Sequence, residues 1–346
     1  SKLINAHYFF TEGKRDYIME QNYLNKVHEG FISSLVELTN ERILTSSRKD
    51  FRMKIFKEDE ENNIYQEVKE IKGKCGCVLY SKEDNKIFTG DANGDISIYE
   101  EKKNNDYVRV TTLSYHEKQI NTLAKISDDK IVSGGNDCRV VVWKMNEDKQ
   151  YYYTNSIKMN RIILNVIALF DERIAFTCDD NIIYIYKQDD NFEKKQKDIT
   201  DYILDQELKG KHKGMVNCLC QLNNSYMVSG GAEKKVEKIK DKSLIVWRTD
   251  KDNSYIYSQS LKGHNGDITC IIQLRDGNFA SSSIDHTIKI CKEKKVENCD
   301  YFSYEMAYNL EYPHDIYKLI QLEDDRICAT SSTFQILFWR NRSGSY

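Results

Sequence analysis

The sequence predicts an all-β fold assembled from seven copies of one antiparallel unit, and three observations carry that expectation. Apolar residues come in short alternating runs rich in β-branched side chains, too short for helices. Pairs of turn-forming residues separate the runs. The pattern then recurs at a spacing of roughly 40–60 residues. The clearest copy runs from His116 to Trp143. Ile120, Leu123, Ala124 and Ile126 make its first run, and Ile131 and Val132, ending in Ser133-Gly134-Gly135, make its second. Val140, Val141, Val142 and Trp143 make the third, with Asp128-Asp129 and Asn136-Asp137 between the runs. We read these as strands a, b and c of one sheet. Residues 28–56, 72–99, 159–186, 212–247, 264–291 and 312–339 follow the same plan, closing on Phe56, Tyr99, Tyr186, Trp247, Cys291 and Trp339.

Within the clearest copy, four polar side chains fall where one hydrogen-bond chain crosses the sheet. Asp137 in the b–c turn holds His116, Ser133 sits between, and the Trp143 indole donates from strand c. This unit resembles a blade of the WD-repeat family, and His116, Ser133, Asp137 and Trp143 match that family's structural tetrad. His212, Ser229, Asp241 and Trp247 match it again. The resemblance covers nearly the whole chain and implies a seven-bladed β-propeller of four-stranded antiparallel blades. Other units depart from the pattern. His264, Ser281 and Asp285 are followed by Cys291 where Trp is expected, and His28 and Asp50 go with Phe56. Lys72, Met159 and Tyr312 stand in the His register, and Thr333 replaces Asp in the last unit. Each lost buried hydrogen bond weakens a blade by about 1 kcal/mol, which apolar packing is expected to offset.

The outer strands follow from the segments before each His. YVRVTTLSY precedes His116 and YIYSQSLKG precedes His264, Tyr-rich as suits a strand with one wet face. Residues 16–25 (DYIMEQNYLN) read the same way, whereas the chain ends soon after Trp339, so the seventh unit has no fourth strand of its own. The resemblance therefore implies that residues 16–25 complete the last blade and leave no unpaired gap in the ring. Residues 1–15 match no unit and form an N-terminal extension; residues 16–346 form a single propeller. The first residue is Ser rather than Met, as expected of a domain excised from a longer chain.

Composition narrows the function. Lys and Arg number 51 against 54 Asp and Glu, a net charge of -3, which gives no reason to expect nucleic acid or a membrane as partner. No apolar run reaches membrane-spanning length, and no signal-peptide core stands at the start. Most of the ten cysteines lie within strands, where a thiol acts as a small apolar side chain. The Cys75/Cys77 and Cys218/Cys220 pairs lack metal-knuckle spacing and belong to different units, so no metal is expected. Buried, reduced thiols point to a reducing compartment, cytoplasmic or nuclear. No catalytic residue or cofactor is expected. The Ser, His and Asp residues are placed as tetrads, and neither Gly134-Gly135 nor Gly230-Gly231 matches a phosphate loop or dinucleotide fingerprint.

The resemblance implies a non-enzymatic platform that binds a peptide segment of a partner protein on the narrow face, where d–a connections and b–c turns converge. The chain is expected to be monomeric alone and part of a larger complex or a longer chain. Carried over position by position, contacts come from the residue after the first apolar position of strand a: Ser33, Cys77, Asn121, Leu164, Asn217, Thr269 and Tyr317. They come also from the residue before the b–c turn Asp, among them Lys49, Asn136 and Lys240. Phe31, Gln119, Met215 and Asp267 stand two residues before the first set. These positions hold no arginine, so the expected ligand is largely uncharged, with Phe31, Met215 and Tyr317 as anchors, Asn121 and Asn217 as amide hydrogen-bonders, and weak salt dependence. A phospho- or acidic-motif reader, such as the substrate-recognition part of a ubiquitin ligase, needs an arginine cluster there; Arg48, Arg139 and Arg161 lie nearby. A propeller enzyme, or an accessory domain of a missing catalytic one, is the alternative of another class. One b–c turn carries an insertion, AEKKVEKIK (residues 232–240), with Val236 and Ile239 at helical spacing; it reads as a short helix or hairpin tip, either a tolerated surface insertion or a finger that contacts a partner.

Overall fold

The computed structural model describes residues 17–20, 23–59, 61, 64–103, 106–189, 202–234, 237–297, 299 and 301–341. The expected extension at 1–15 lies outside them. Seven four-stranded antiparallel sheets make seven blades, and no helix occurs among the described residues. Strand a opens the blades at Ile32–Leu38, Cys77–Ser81, Ile120–Ser127, Ile163–Ala168, Met215–Gln221, Ile268–Gln273 and Ile316–Gln321. In the first six, strand d is Ile64–Lys72, Tyr107–Ser114, Tyr151–Lys158, Tyr202–Leu208, Tyr255–Leu261 and Phe302–Glu311.

The core is distributed over the seams between blades. Strand b of blade 3, Lys130–Gly135, is buried along nearly its whole length because both of its faces meet a neighbouring sheet. Ile131, Val141 and Trp143 pack on Phe88, Ile96 and Ile98 of blade 2, while Val132, Val140 and Val142 pack on Ile163, Ile174 and Phe176 of blade 4. Each of the seven seams has such an apolar cluster. A fully buried aliphatic or aromatic side chain contributes about 1.5–3 kcal/mol, so the seams carry most of the stability.

The ring closes as the N-terminal segment predicts. Tyr17–Met19 pairs antiparallel with Ile336–Asn341, strand c of blade 7. Past that pairing, the Glu20 amide donates to Phe338 O (2.8 Å), and Leu24 and Ile336 exchange backbone bonds of 3.0 Å. On the inner side of the same seam, Ile32, Ile43 and Phe56 of blade 1 meet Cys328, Ile336 and Phe338 of blade 7. Buried Arg326 fastens this junction. Its guanidinium donates to Asp324 (2.6 Å), to Glu20 on the N-terminal segment (3.2 Å), and to Glu58 and the Tyr65 hydroxyl (3.1 Å each) of blade 1. Its plane also lies over the Tyr65 and Phe338 rings.

Two local irregularities recur from blade to blade. Strand a carries a bulge near its start in six blades, at Ser33, Asn121, Leu164, Asn217, Thr269 and Tyr317. A bulge takes one residue out of the ladder and re-aims its side chain. The b–c turn places one residue in the left-handed region: Phe51, Cys138, His286 and Phe334 with φ of 54–72°, and Gly94 at 94°.

Candidate binding face

The tetrads hold this face together. In blade 3, His116 Nδ1 lies 2.9 Å from both Asp137 oxygens, its Nε2 is 2.7 Å from Ser133 Oγ, and the Trp143 indole donates to that same Oγ at 2.9 Å. In blade 5, His212 stands 2.8 Å from Asp241 and 2.7 Å from Ser229, to which Trp247 donates at 2.8 Å. An indole N–H only donates, so the serine oxygen accepts from it and gives its own proton to the His Nε2. On the other side of the ring, the Nδ1 proton is directed to the aspartate, an acceptor only. Burial alone would raise the Asp137 and Asp241 carboxyls, but hydrogen bonds, above all from the paired histidine, outweigh it and hold both below their ordinary value. His116 and Ser133 have no exposed side-chain surface, so this Ser-His-Asp set has no access to a substrate.

Blade 6 has the same geometry without the indole: His264 lies 2.9 Å from Asp285 and 2.9 Å from Ser281. Blade 1 substitutes a threonine. His28 lies 2.7 Å from Asp50 and 2.9 Å from Thr45 Oγ1, with Phe56 in place of the indole. Thr45 was legible by spacing, since each of these histidines reaches a hydroxyl 17 residues on. Burial pushes His28 below its ordinary value against the opposing pull of Asp50. Blade 4 replaces the network with rings: Phe176, in the serine register, stacks on Tyr184 and Tyr186 at 5.5 and 5.4 Å.

Six of the seven contact residues expected near the start of strand a prove to be bulge residues, but several are already engaged. Asn121 donates both amide hydrogens, one to Ile163 O of blade 4 (2.8 Å) and one to Asn136 Oδ1 (2.7 Å), and its own oxygen accepts from Gln119 (2.9 Å). Asn217 donates to Ile268 O of blade 6 (2.8 Å), and Thr269 donates to Ile316 O of blade 7 (2.6 Å). These side chains stitch each blade to the next. The expectation that Asn121 donates to a ligand is therefore revised, because it has no amide hydrogen left; Asn217 has one. Ser33 is turned to Ser46 of its own blade, and Asp267 accepts from the Glu233 amide (2.8 Å). Met215 is half-buried, and Lys49 and Lys240 are exposed.

The apolar part of the face gathers at the closure seam. Phe31 is 58% exposed. Its ring makes edge contacts with Tyr317 at 5.5 Å and with Phe334 at 5.6 Å. Phe334 escaped the sequence reading, although its place matches that of Cys138 and His286 after the b–c turn. The nearby arginines are occupied: Arg48 donates to Gly76 O (3.1 Å), Arg139 pairs with Glu117 (2.9 Å), and Arg161 stands 3.8 and 3.7 Å from Asp179 and Asp180. The insertion is a hairpin, not a helix, since Lys234 and Ile239 pair as a β-bridge; Val236 lies outside the described residues.

Comparison with known proteins agrees with this architecture. The family model for the WD domain, G-beta repeat, matches residues 107–144 and 255–292. Each match spans the outer strand of one blade and strands a to c of the next. The WD40 β-propeller domain of Doa1 is 17% identical, with a TM-score of 0.68, over 93% of this chain and 98% of that one. The WD40 repeats of RRP9 are 16% identical, with a TM-score of 0.70, over 94% and 98%. A chain from a mitotic checkpoint complex is 12% identical, with a TM-score of 0.69, over 99% of each. A comparison with curated proteins finds no match. Two segments of the chain thus match the WD repeat, and the whole has the fold of a WD40 β-propeller, a class that generally mediates protein–protein interaction and is typically non-catalytic.

Proposed function

We propose that the chain is a non-enzymatic interaction platform whose narrow face binds a largely uncharged peptide segment of a partner protein. The observation that carries this reading is the Phe31, Tyr317 and Phe334 cluster, which leaves an aromatic side chain open to solvent on a rigid rim. Aromatic anchors provide large contact area at low ordering cost, and turns held by buried tetrads are already set in place before binding. Carboxylates beside Arg139 and Arg161 offset part of the positive charge near this face, which favours a neutral ligand over a phosphorylated one. The many core thiols suit a reducing compartment, cytoplasmic or nuclear.

A peptide array probed with the wild-type chain and with Phe31→Ala tests the reading. Peptides with an apolar or aromatic residue should be retained, should survive raised salt, and should be lost from the variant, since truncating a central aromatic anchor costs about 2 kcal/mol or more. Strong enrichment of phosphorylated peptides, lost at raised salt, would show instead a phospho-reader.

A further inference from the structure

Blade 5 adds a cluster of lysines to this face. Two of its connections meet at Asp241, which accepts from the Lys213 amide (2.8 Å), the Gly214 amide (3.4 Å) and the Ser243 amide (3.0 Å) as well as from His212. The tetrad thereby fixes the d–a connection against the end of the inserted hairpin. The hairpin is pinned again at its base, where the Glu233 amide donates to Asp267 of blade 6. Its own fold is tight: the Lys234 amide donates to Ile239 O (2.9 Å), and Lys238 turns the chain with φ 52°.

This scaffold presents lysine. Lys211, Lys213, Lys238 and Lys240 are exposed, and Lys242 is half-buried beside them. Among the described residues, Lys213, Lys238, Lys240 and Lys242 have no ion-pair partner. Acids nearby are largely consumed, since Glu237 pairs with Lys234 and Asp241 serves His212 and the backbone. Unpaired ammonium groups gathered where two connections meet cost self-repulsion, which an opposite charge relieves.

We propose that this finger docks an acidic segment of a partner protein, rich in Asp or Glu, with an apolar residue placed against Ile239, which is 36% exposed. Several features favour a peptide over a nucleic acid. The finger has no arginine fork for phosphate, Glu233 and Glu237 interrupt any continuous track for a polyanion, and the Tyr257 ring is capped by the Lys211 ammonium at 4.1 Å rather than open to stack a base. The site lies on another blade from the aromatic cluster and stands or falls separately from it.

The test uses the full chain and an array of short synthetic peptides in which Asp/Glu residues surround one Leu, each beside a twin with Asn/Gln in their place. The best pairs are then measured in solution by fluorescence anisotropy. An acidic peptide should bind about ten-fold or more tighter than its twin, and the preference should fade as salt rises from about 0.05 to 0.3 M. Combined Lys213→Glu, Lys238→Glu and Lys240→Glu should abolish the preference, and the corresponding Gln variant should weaken it, while Phe31→Ala leaves it intact. Equal affinity for acidic and amide peptides, or a preference untouched by the charge reversal in a variant that melts like wild type, overturns the proposal. So does tighter binding of an oligouridylate or of phosphatidylserine vesicles.

Discussion

Ser133 and Thr89 occupy the same register in blades 3 and 2, yet their hydroxyls have opposite energetic signs. Ser133 accepts from Trp143 and donates to His116, so Ser133→Ala strands two buried groups and should cost about 1–3 kcal/mol in urea unfolding. Thr89 is buried with no partner for its hydroxyl among the described residues. Thr89→Val keeps the shape and removes the unpaired group, so it should be neutral or stabilising by up to about 1 kcal/mol. Acid should act in two stages. His28 titrates below its ordinary value of about 6.5, so the stability it contributes is complete above that pH and is lost as pH falls through it towards the depressed folded-state value. Asp137, Asp241 and Asp285 are also depressed, and their contribution is complete above about pH 4 and lost below it. Melting temperature should thus begin to fall near pH 6.5, and His28→Gln should flatten the profile between pH 7 and 5; an unaltered slope removes His28 from the first stage.

At the scale of the element, the b–c turns show where backbone geometry and side-chain choice disagree. Phe51 takes φ 54°, a conformation that costs a bulky residue about 1–3 kcal/mol, and its ring is largely exposed, so little packing compensates. Phe51→Asn should stabilise the chain, because Asn tolerates the left-handed region; a lower urea midpoint would mean that the ring contributes more than its exposure suggests. The strands themselves were legible, because alternation and turn residues are local properties. So was the position of Asn121 just inside strand a. That its amide ties blade 3 to blade 4 was not, since the acceptor, Ile163 O, is a backbone group 42 residues away with no signature of its own. The insertion read as a short helix or a hairpin tip, because Val236 and Ile239 satisfy helical spacing; the bridge between Lys234 and Ile239, with only four residues between them, decides for the hairpin. Phe334 was overlooked because no sequence rule assigns a phenylalanine to a left-handed turn position.

For the whole molecule, stability is a circuit of seven seams, and the one closed by non-adjacent parts of the chain is the most instructive to break. Tyr17–Met19, with a further bridge at Leu24, supply the outer edge of blade 7, and Arg326 links Glu20 on that segment to Glu58 and Tyr65 of blade 1. Removing residues 1–25 should free the edge of Ile336–Asn341 and lower the melting temperature by several degrees or more. It should also promote self-association, because an unpaired strand edge is a template for another. Arg326→Met leaves Glu58 and Glu20 partly buried beside an apolar side chain, and breaking such a cluster costs about 3–5 kcal/mol. Both changes act on one seam, so their effects should not add: truncation already removes Glu20, and the combined variant should lose less than the sum of the two by about 0.5–3 kcal/mol. Arg42 makes an equivalent pair with Glu101 between blades 1 and 2, at 2.7 Å, with no part in closure. Arg42→Met should therefore add to the truncation more nearly in full. Urea unfolding of the six proteins, with size-exclusion chromatography of the truncated ones, decides the matter: a truncated chain that stays monomeric and equally stable, or additivity at Arg326, would show that the ring does not depend on its N-terminal strand.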